Sequence, residues 1–205
     1  MPSIESKIKT QYAKFFEQDD WRSFKKIAEC HLETAARLKK RDVKCEDPYR
    51  LLLRNIQKRL FIGIGCELIV KAFYLKNGYG INRPKQGVKV PFPYKIREVN
   101  RADFQQDNTY QLGFLLDHLK DVCRLVEHSL ILRGFRIAKV FRNKEAHAAV
   151  YWHQFDPNNY LDIEISLAAF YLEAFSEKLT VQFSLEPNEK ARFNIAPGSN
   201  AAEVT

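Results

Sequence analysis

The fold is decided by residues 48–76, which read PYRLLLRNIQKRLFIGIGCELIVKAFYLK. Asp47–Pro48 is a typical helix start and Asn77–Gly78 a typical helix stop, so the stretch predicts one long helix. Its apolar residues recur at helical spacing, at Leu52, Leu53, Ile56, Leu60, Ile64, Leu68 and Val70. Glu67 falls on the same stripe. A carboxylate facing a core is costly unless it is paired, so we expect Glu67 to have a partner.

The rest of the chain is mostly helical in pattern. Helical spacing predicts further helices over residues 3–20, 21–40, 112–130, 137–152 and 161–183, with a cap at Ser3 and a break or kink at Gly134. Residues 79–110 form a long irregular segment between the second and third main helices, in which Val88, Val90 and Phe92 alternate as in a short hairpin. The prediction is an all-α bundle of four to six helices. Residues 1–185 form one domain and residues 186–205 a frayed tail.

Composition narrows the class of partner. The chain has 205 residues and a net charge of +8, which favours a polyanion, with nucleic acid as the first candidate. Its four cysteines show no metal-ligand spacing, and we predict no cofactor and no metal site. The N-terminus lacks an apolar signal segment, and no apolar run is long and uncharged enough to span a bilayer, so the expected compartment is the cytoplasm and no membrane partner is predicted.

The candidate chemistry lies in one hexapeptide, RNKEAH, residues 142–147. Arg142 carries a permanent charge that can bind a phosphate, and His147 has a side chain whose ordinary pKa lies near neutrality. Asn143 can orient the imidazole or contact phosphate. These groups suit metal-free cleavage of RNA, in which the 2′-hydroxyl attacks the adjacent phosphorus while His147 transfers protons and Arg142 stabilises the phosphoryl charge.

Helical geometry limits how these side chains meet. Arg142 and His147 are about 140° apart around a helix axis, whereas Asn143 and His147 are one turn apart. Either the long arginine wraps around the helix or a second copy of the helix completes the site. The second option predicts a homodimer.

The hexapeptide resembles the R-x4-H motif of the HEPN-superfamily ribonucleases. The stretch from Gly65 to Tyr79, GCELIVKAFYLKNGY, is similar to the second long helix of many members. The resemblance implies a HEPN-like bundle that dimerises through its motif helices, with Arg142, Asn143 and His147 in the active site and Glu67 holding Arg142 by an ion pair. It also implies a toxin or phage-defence effector, with an antitoxin or another regulatory protein as a partner. Some members have a modified tyrosine two residues after the histidine, where this chain has Ala149.

Several interpretations remain open. Tyr151 either borders the cleft or packs at a helix end. The basic residues of the irregular segment either guide RNA or belong to a solvated insertion, and they are Arg83, Lys85, Lys89, Lys95 and Arg97. Phe92 or Tyr94 could stack on a base there. Two rivals to the nuclease are a catalytically inactive HEPN-like module that binds RNA or protein, and a basic helical adaptor with a fortuitous motif.

Overall fold

The structure is a computed structural model that describes residues 3–4, 6, 20–38, 48–122, 125–147, 157–179 and 181–184. These residues form α-helices, short 3-10 turns and one two-stranded sheet, which confirms the predicted all-α class. Within these ranges, every helix is too short or too polar to cross a membrane. The helix predicted over residues 3–20 lies almost entirely outside the described residues, although the Ser6 amide donates to Ser3 Oγ at 3.1 Å, as a cap requires.

The described elements follow in chain order. They are α1 Trp21–Arg37, α2 Pro48–Lys76, β1 Asn82–Pro84, β2 Phe104–Thr109, α3 Leu112–Asp117, α4 Leu119–Val122, α5 His128–His147 and α6 Pro157–Phe175. The predicted bounds of α2 are confirmed. Gly78 has a positive φ of 75°, and the Tyr79 amide donates to Tyr74 O at 2.9 Å, which is the hydrogen bond of a glycine-terminated helix.

Helix α2 is the centre of the fold because two glycines admit helices on nearly opposite sides. A Cβ atom on Gly65 would lie 2.7 Å from Leu32 Cγ of α1, and one on Gly63 would lie 2.6 Å from Arg142 Cβ of α5. The two positions differ by about 200° around the axis of α2. Helix α1 therefore packs on one side of α2 and α5 on the other, and most residues from Ile62 to Leu75 are buried.

The predicted apolar stripe of α2 is wrong in its register. Of its seven residues only Val70 is fully buried, and Leu53 is 54% exposed. The buried faces instead follow the glycines and their neighbours, including Ile62, Cys66, Ile69 and Phe73. Which residues of α2 are buried depends on close packing at its glycines, and the hydrophobicity of the sequence alone does not predict that packing.

Helices α5 and α6 pack antiparallel, and Gly134 lies at their contact. The Ser166 hydroxyl donates to Leu130 O at 2.7 Å and accepts from the Gly134 amide at 3.1 Å, so a side chain of α6 lies directly against the backbone of α5. The predicted break at Gly134 is therefore wrong, because α5 continues through it. The interruption comes earlier, between Val122 and His128, where the Glu173 carboxylate accepts from the amides of Val126 and Glu127.

The bounds of α6 also differ from the prediction. The helix ends at Phe175 because Ser176 takes a positive φ of 58°. Residues 177–179 and 181–184 continue without helix, and among them the Phe183 side chain is fully buried. The predicted helix was too long because it included Phe183, an apolar residue that is buried beyond the helix end.

The segment between α2 and α3 is a packed insertion. Strand β1 pairs antiparallel with β2, so the hairpin predicted around residues 88–92 is wrong and the pairing residues lie further apart in the chain. Phe92 packs against the rings of Tyr74, Tyr94, Tyr110, Phe114 and His118. This aromatic cluster anchors the insertion to α2 and α3.

We predict that Gly134→Ala destabilises the protein, although alanine favours a helix by about 1 kcal/mol. The new Cβ would lie 2.5 Å from Asp162 O and 2.6 Å from Ser166 Cβ, so α5 and α6 must separate. Overpacking of this kind typically costs about 1–3 kcal/mol. Urea denaturation should show a net loss, whereas Arg136→Ala at an exposed position of the same helix should change the unfolding free energy little. An unchanged or raised stability of Gly134→Ala would contradict the close contact.

A second prediction concerns pH. His31 packs on Phe61 with ring centroids 5.5 Å apart, and burial lowers its pKa below 6.5. Between the lowered pKa and 6.5 the unfolded chain binds more protons than the folded chain, so the unfolding free energy falls as the pH drops through this window. His31→Gln should remove that part of the loss. Denaturation of parent and variant at about pH 5 and about pH 7 tests this, and an identical pH dependence would contradict it.

Candidate functional site

The hexapeptide forms the end of α5. The helix continues through His147, and the structure describes the side chains of Arg142, Asn143 and Lys144. Asn143 and Lys144 are exposed, whereas Arg142 is partly buried. The side chains of residues 145–147, and Tyr151 as a whole, lie outside the described residues, so the predicted roles of His147 and Tyr151 stay predictions.

Gly63 brings the backbone of α2 close to Arg142. A Cβ on Gly63 would lie 2.8 Å from the Arg142 amide nitrogen and 2.9 Å from Ala138 O, which leaves no room for any other residue. Glu67 follows Gly63 by one turn on the same face of α2. Because α2 and α5 cross closely at Gly63, Arg142 of α5 lies next to the Glu67 carboxylate of α2.

Glu67 pairs with two cations. Its Oε2 lies 2.7 Å from Arg142 Nε, and its Oε1 accepts from Lys71 Nζ at 2.6 Å. The side chains of Glu67 and Lys71 are 7% and 8% exposed, while that of Arg142 is 33% exposed. The expected ion pair between Glu67 and Arg142 is thus present. Lys71 was missed as a site residue, although a Glu and a Lys four residues apart on a helix are a known pairing signal.

The network continues into the insertion. Lys71 Nζ also donates to Thr109 Oγ1 at 2.9 Å, at the end of β2. Burial lowers the pKa of Lys71, the nearby Arg142 lowers it further, and Glu67 opposes both effects. The carboxylate is therefore what keeps two neighbouring cations compatible with the interior.

Arg142 lies beside Glu67 as an ion pair, with Nε 2.7 Å from Oε2, although this oxygen accepts no hydrogen bond among the described residues. The guanidinium has four further N–H groups on its terminal nitrogens. With a third of the side chain exposed, these donors are the ones that can reach a ligand. The planar guanidinium presents a fork of donors that suits a phosphate.

The basic residues of the insertion separate into two groups. Lys85, Lys89 and Arg97 are exposed. Lys95 is engaged locally, since its Nζ lies 3.7 Å from the centroid of the Tyr79 ring and donates to Asn77 O, and Arg83 lies over the Tyr110 ring at 5.6 Å.

The two aromatic candidates for base stacking are part of the core of the insertion. Tyr94 is buried, its ring stacks on Phe104 and its hydroxyl donates to Asn82 O at 2.8 Å. Phe92 is surrounded by the aromatic cluster described above. The proposed stacking role of Tyr94 is therefore wrong, because its ring is buried. Phe92 is only partly buried, and its stacking role stays a prediction.

In the part of the chain that the structure describes, no three His, Cys, Asp or Glu side chains form a group that could hold a metal ion. Comparison of the chain with protein-family models, curated proteins and solved structures gives no significant match. The functional argument therefore depends on the geometry of Glu67, Lys71 and Arg142.

We predict that Glu67→Gln lowers the free energy of unfolding by about 3–5 kcal/mol, the usual cost of breaking a buried ion pair. Most of this loss comes from Lys71, because solvent partly screens Arg142. The matched control is Glu33→Gln, which removes a 50% exposed carboxylate 3.3 Å from Arg37. The control should cost less than about 1 kcal/mol. Equal effects of the two substitutions in urea denaturation would show that Glu67 is not the buried centre of the network.

Proposed function

We propose that the protein is a metal-independent endoribonuclease of the HEPN type that acts on cytoplasmic RNA. The observation that supports this most is the ion pair between Glu67 and Arg142, which joins the two helices carrying the motifs at an N–O distance of 2.7 Å. The ion pair places the guanidinium beside a buried carboxylate and leaves a third of the arginine side chain exposed. A phosphate-binding arginine profits from such a partner, because its donors must stay fixed while charge develops on the phosphoryl oxygens.

In the proposed reaction the RNA supplies its own nucleophile. His147 removes the proton from the 2′-hydroxyl, the oxygen attacks the adjacent phosphorus, and the bond from phosphorus to the 5′-oxygen breaks. A protonated imidazole returns a proton to that leaving oxygen. Arg142 binds the phosphoryl oxygens, and Asn143 orients the imidazole or the phosphate. The products are a 2′,3′-cyclic phosphate and a 5′-hydroxyl, and no metal takes part.

The proposal includes a homodimer. Arg142 is directed towards α2, and position 147 lies about 140° away around α5. A second copy that places its own α5 beside the first would bring an imidazole to each guanidinium across a twofold axis. The biological setting that fits is a toxin or defence effector whose activity an antitoxin or another regulatory protein restrains.

Cleavage of labelled RNA in the presence of EDTA tests the proposal. Arg142→Ala and His147→Ala should each lower the rate by about 10²-fold or more, whereas Lys26→Ala on α1, whose side chain is 73% exposed, should keep the parental rate. Arg142→Lys keeps a charge but loses the planar fork, so it should recover only part of the activity.

Two outcomes would overturn the proposal. The first is equal cleavage by the parent and both site variants, and the second is the absence of cleavage by a folded parent. If that parent still binds RNA, the inactive RNA-binding module becomes the better assignment. A cyclic phosphate end on the product distinguishes this reaction from metal-dependent hydrolysis.

A further inference from the structure

The motif helix carries a regular row of cations. Arg133, Arg136, Lys139 and Arg142 follow one another at intervals of three residues along α5. Each interval advances about 4.5 Å along the axis and turns back by about 60°. The cationic row, as we call these four residues, therefore winds around the helix from the side of α6 to the side of α2.

The two ends of the cationic row are paired within the protein. Arg133 Nη2 lies 2.8 Å from Asp162 Oδ2 of α6, and Arg142 Nε lies 2.7 Å from Glu67 of α2. The two middle members are different. No acidic side chain among the described residues forms an ion pair with Arg136 or Lys139. Arg136 is exposed and Lys139 is partly exposed.

Lys139 is held in place by α3. A Cβ on Gly113 would lie 2.6 Å from both Cε and Nζ of Lys139, so the lysine side chain lies across this glycine. Tyr110, three residues before Gly113, is the ring over which Arg83 lies. Arg83 and Lys139 are therefore each located at the start of α3.

Such a row is unfavourable without an anion. Cations three residues apart on a helix repel each other, and among the described residues acids pair only with the two end members of the row. A chain of phosphates would supply the missing negative charge. The row also curves by about 60° per step, which a flexible single strand can follow and a stiff double helix cannot.

We infer that Arg136 and Lys139 bind successive phosphates of a single-stranded RNA whose next phosphodiester lies at Arg142. This inference rests on the proposed function, because the nuclease site gives the strand its direction. The contacts go to the backbone, so they bind RNA without reading its sequence.

The test measures binding of a fluorescent single-stranded RNA in which every 2′-hydroxyl is methylated, so that it cannot be cut. The double variant Arg136→Ala/Lys139→Ala should bind at least about tenfold more weakly than the parent. Its affinity should also depend less steeply on salt, with the slope of log affinity against log salt smaller in magnitude by about 1.4, or 0.7 for each lost contact. The matched control is Lys26→Ala/Arg37→Ala, which removes the same charge from exposed positions of α1 on the far side of α2. It should bind nearly as the parent does.

The unfolding temperature of the double variant should stay close to that of the parent, because the variant loses the packing of Lys139 on Gly113 together with the repulsion between two cations. On cleavable RNA the same variant should raise KM and leave kcat near the parental value, because neither residue contacts the reacting phosphate. An equal loss of affinity in the control pair would overturn the inference in favour of general electrostatic attraction. Tighter binding of poly-glutamate than of RNA would also overturn it and would indicate an acidic protein partner.

The two proposals can fail separately. If the parent cuts RNA but the double variant binds the methylated RNA as tightly as the parent, the nuclease stands and the cationic row is not its binding track. If the parent never cuts RNA but the double variant loses affinity and salt dependence as described, the row binds RNA and the nuclease assignment fails.

Discussion

A buried carboxylate between two cations constrains much of this structure. Glu67 is almost inaccessible to solvent, yet it contacts Lys71 on its own helix and Arg142 on α5. An isolated charge at that position would be prohibitively costly, and the register in which α2 and α5 pack brings Arg142 to it as a second cation beside Lys71. Lys71 also donates to Thr109, so the same hydrogen-bonded network includes the insertion. The same contacts of Glu67 therefore contribute to the packing of α2 against α5 and to the position of the candidate site.

The close approach at Gly63 explains which atom of Arg142 faces the carboxylate. Because the backbones of the two helices nearly touch there, the side chain reaches Glu67 with Nε, its innermost nitrogen, and does not need to extend fully. With a larger residue at position 63 the helices would be further apart. The absence of a side chain at Gly63 therefore sets how closely α2 approaches Arg142.

Sequence patterns predicted the parts of the fold that depend on local chemistry. The start of α2 at Pro48 and its end before Asn77–Gly78 follow from proline and glycine stereochemistry, and the need for a partner of Glu67 follows from desolvation. The wrong predictions share one cause. At Gly134, on the apolar stripe of α2 and around Phe92, the local structure and burial depend on which element packs opposite. The sequence of one segment does not contain that information. Lys71 was missed because an i, i+4 pair is usually a surface feature.

The distribution of charge argues that α5 has two different kinds of cation. Arg133 and Arg142 are anchored by acids of neighbouring helices, so their geometry is set by the fold before any ligand arrives. Arg136 and Lys139 have no such acid among the described residues, so a polyanion can use them without breaking an existing pair. In the proposed nuclease, such an arrangement would attract a long RNA through Arg136 and Lys139 and bind one phosphate at Arg142. A merely structural arginine at position 142 would account for the ion pair with Glu67, but it would not account for a row of repelling charges that leads to it.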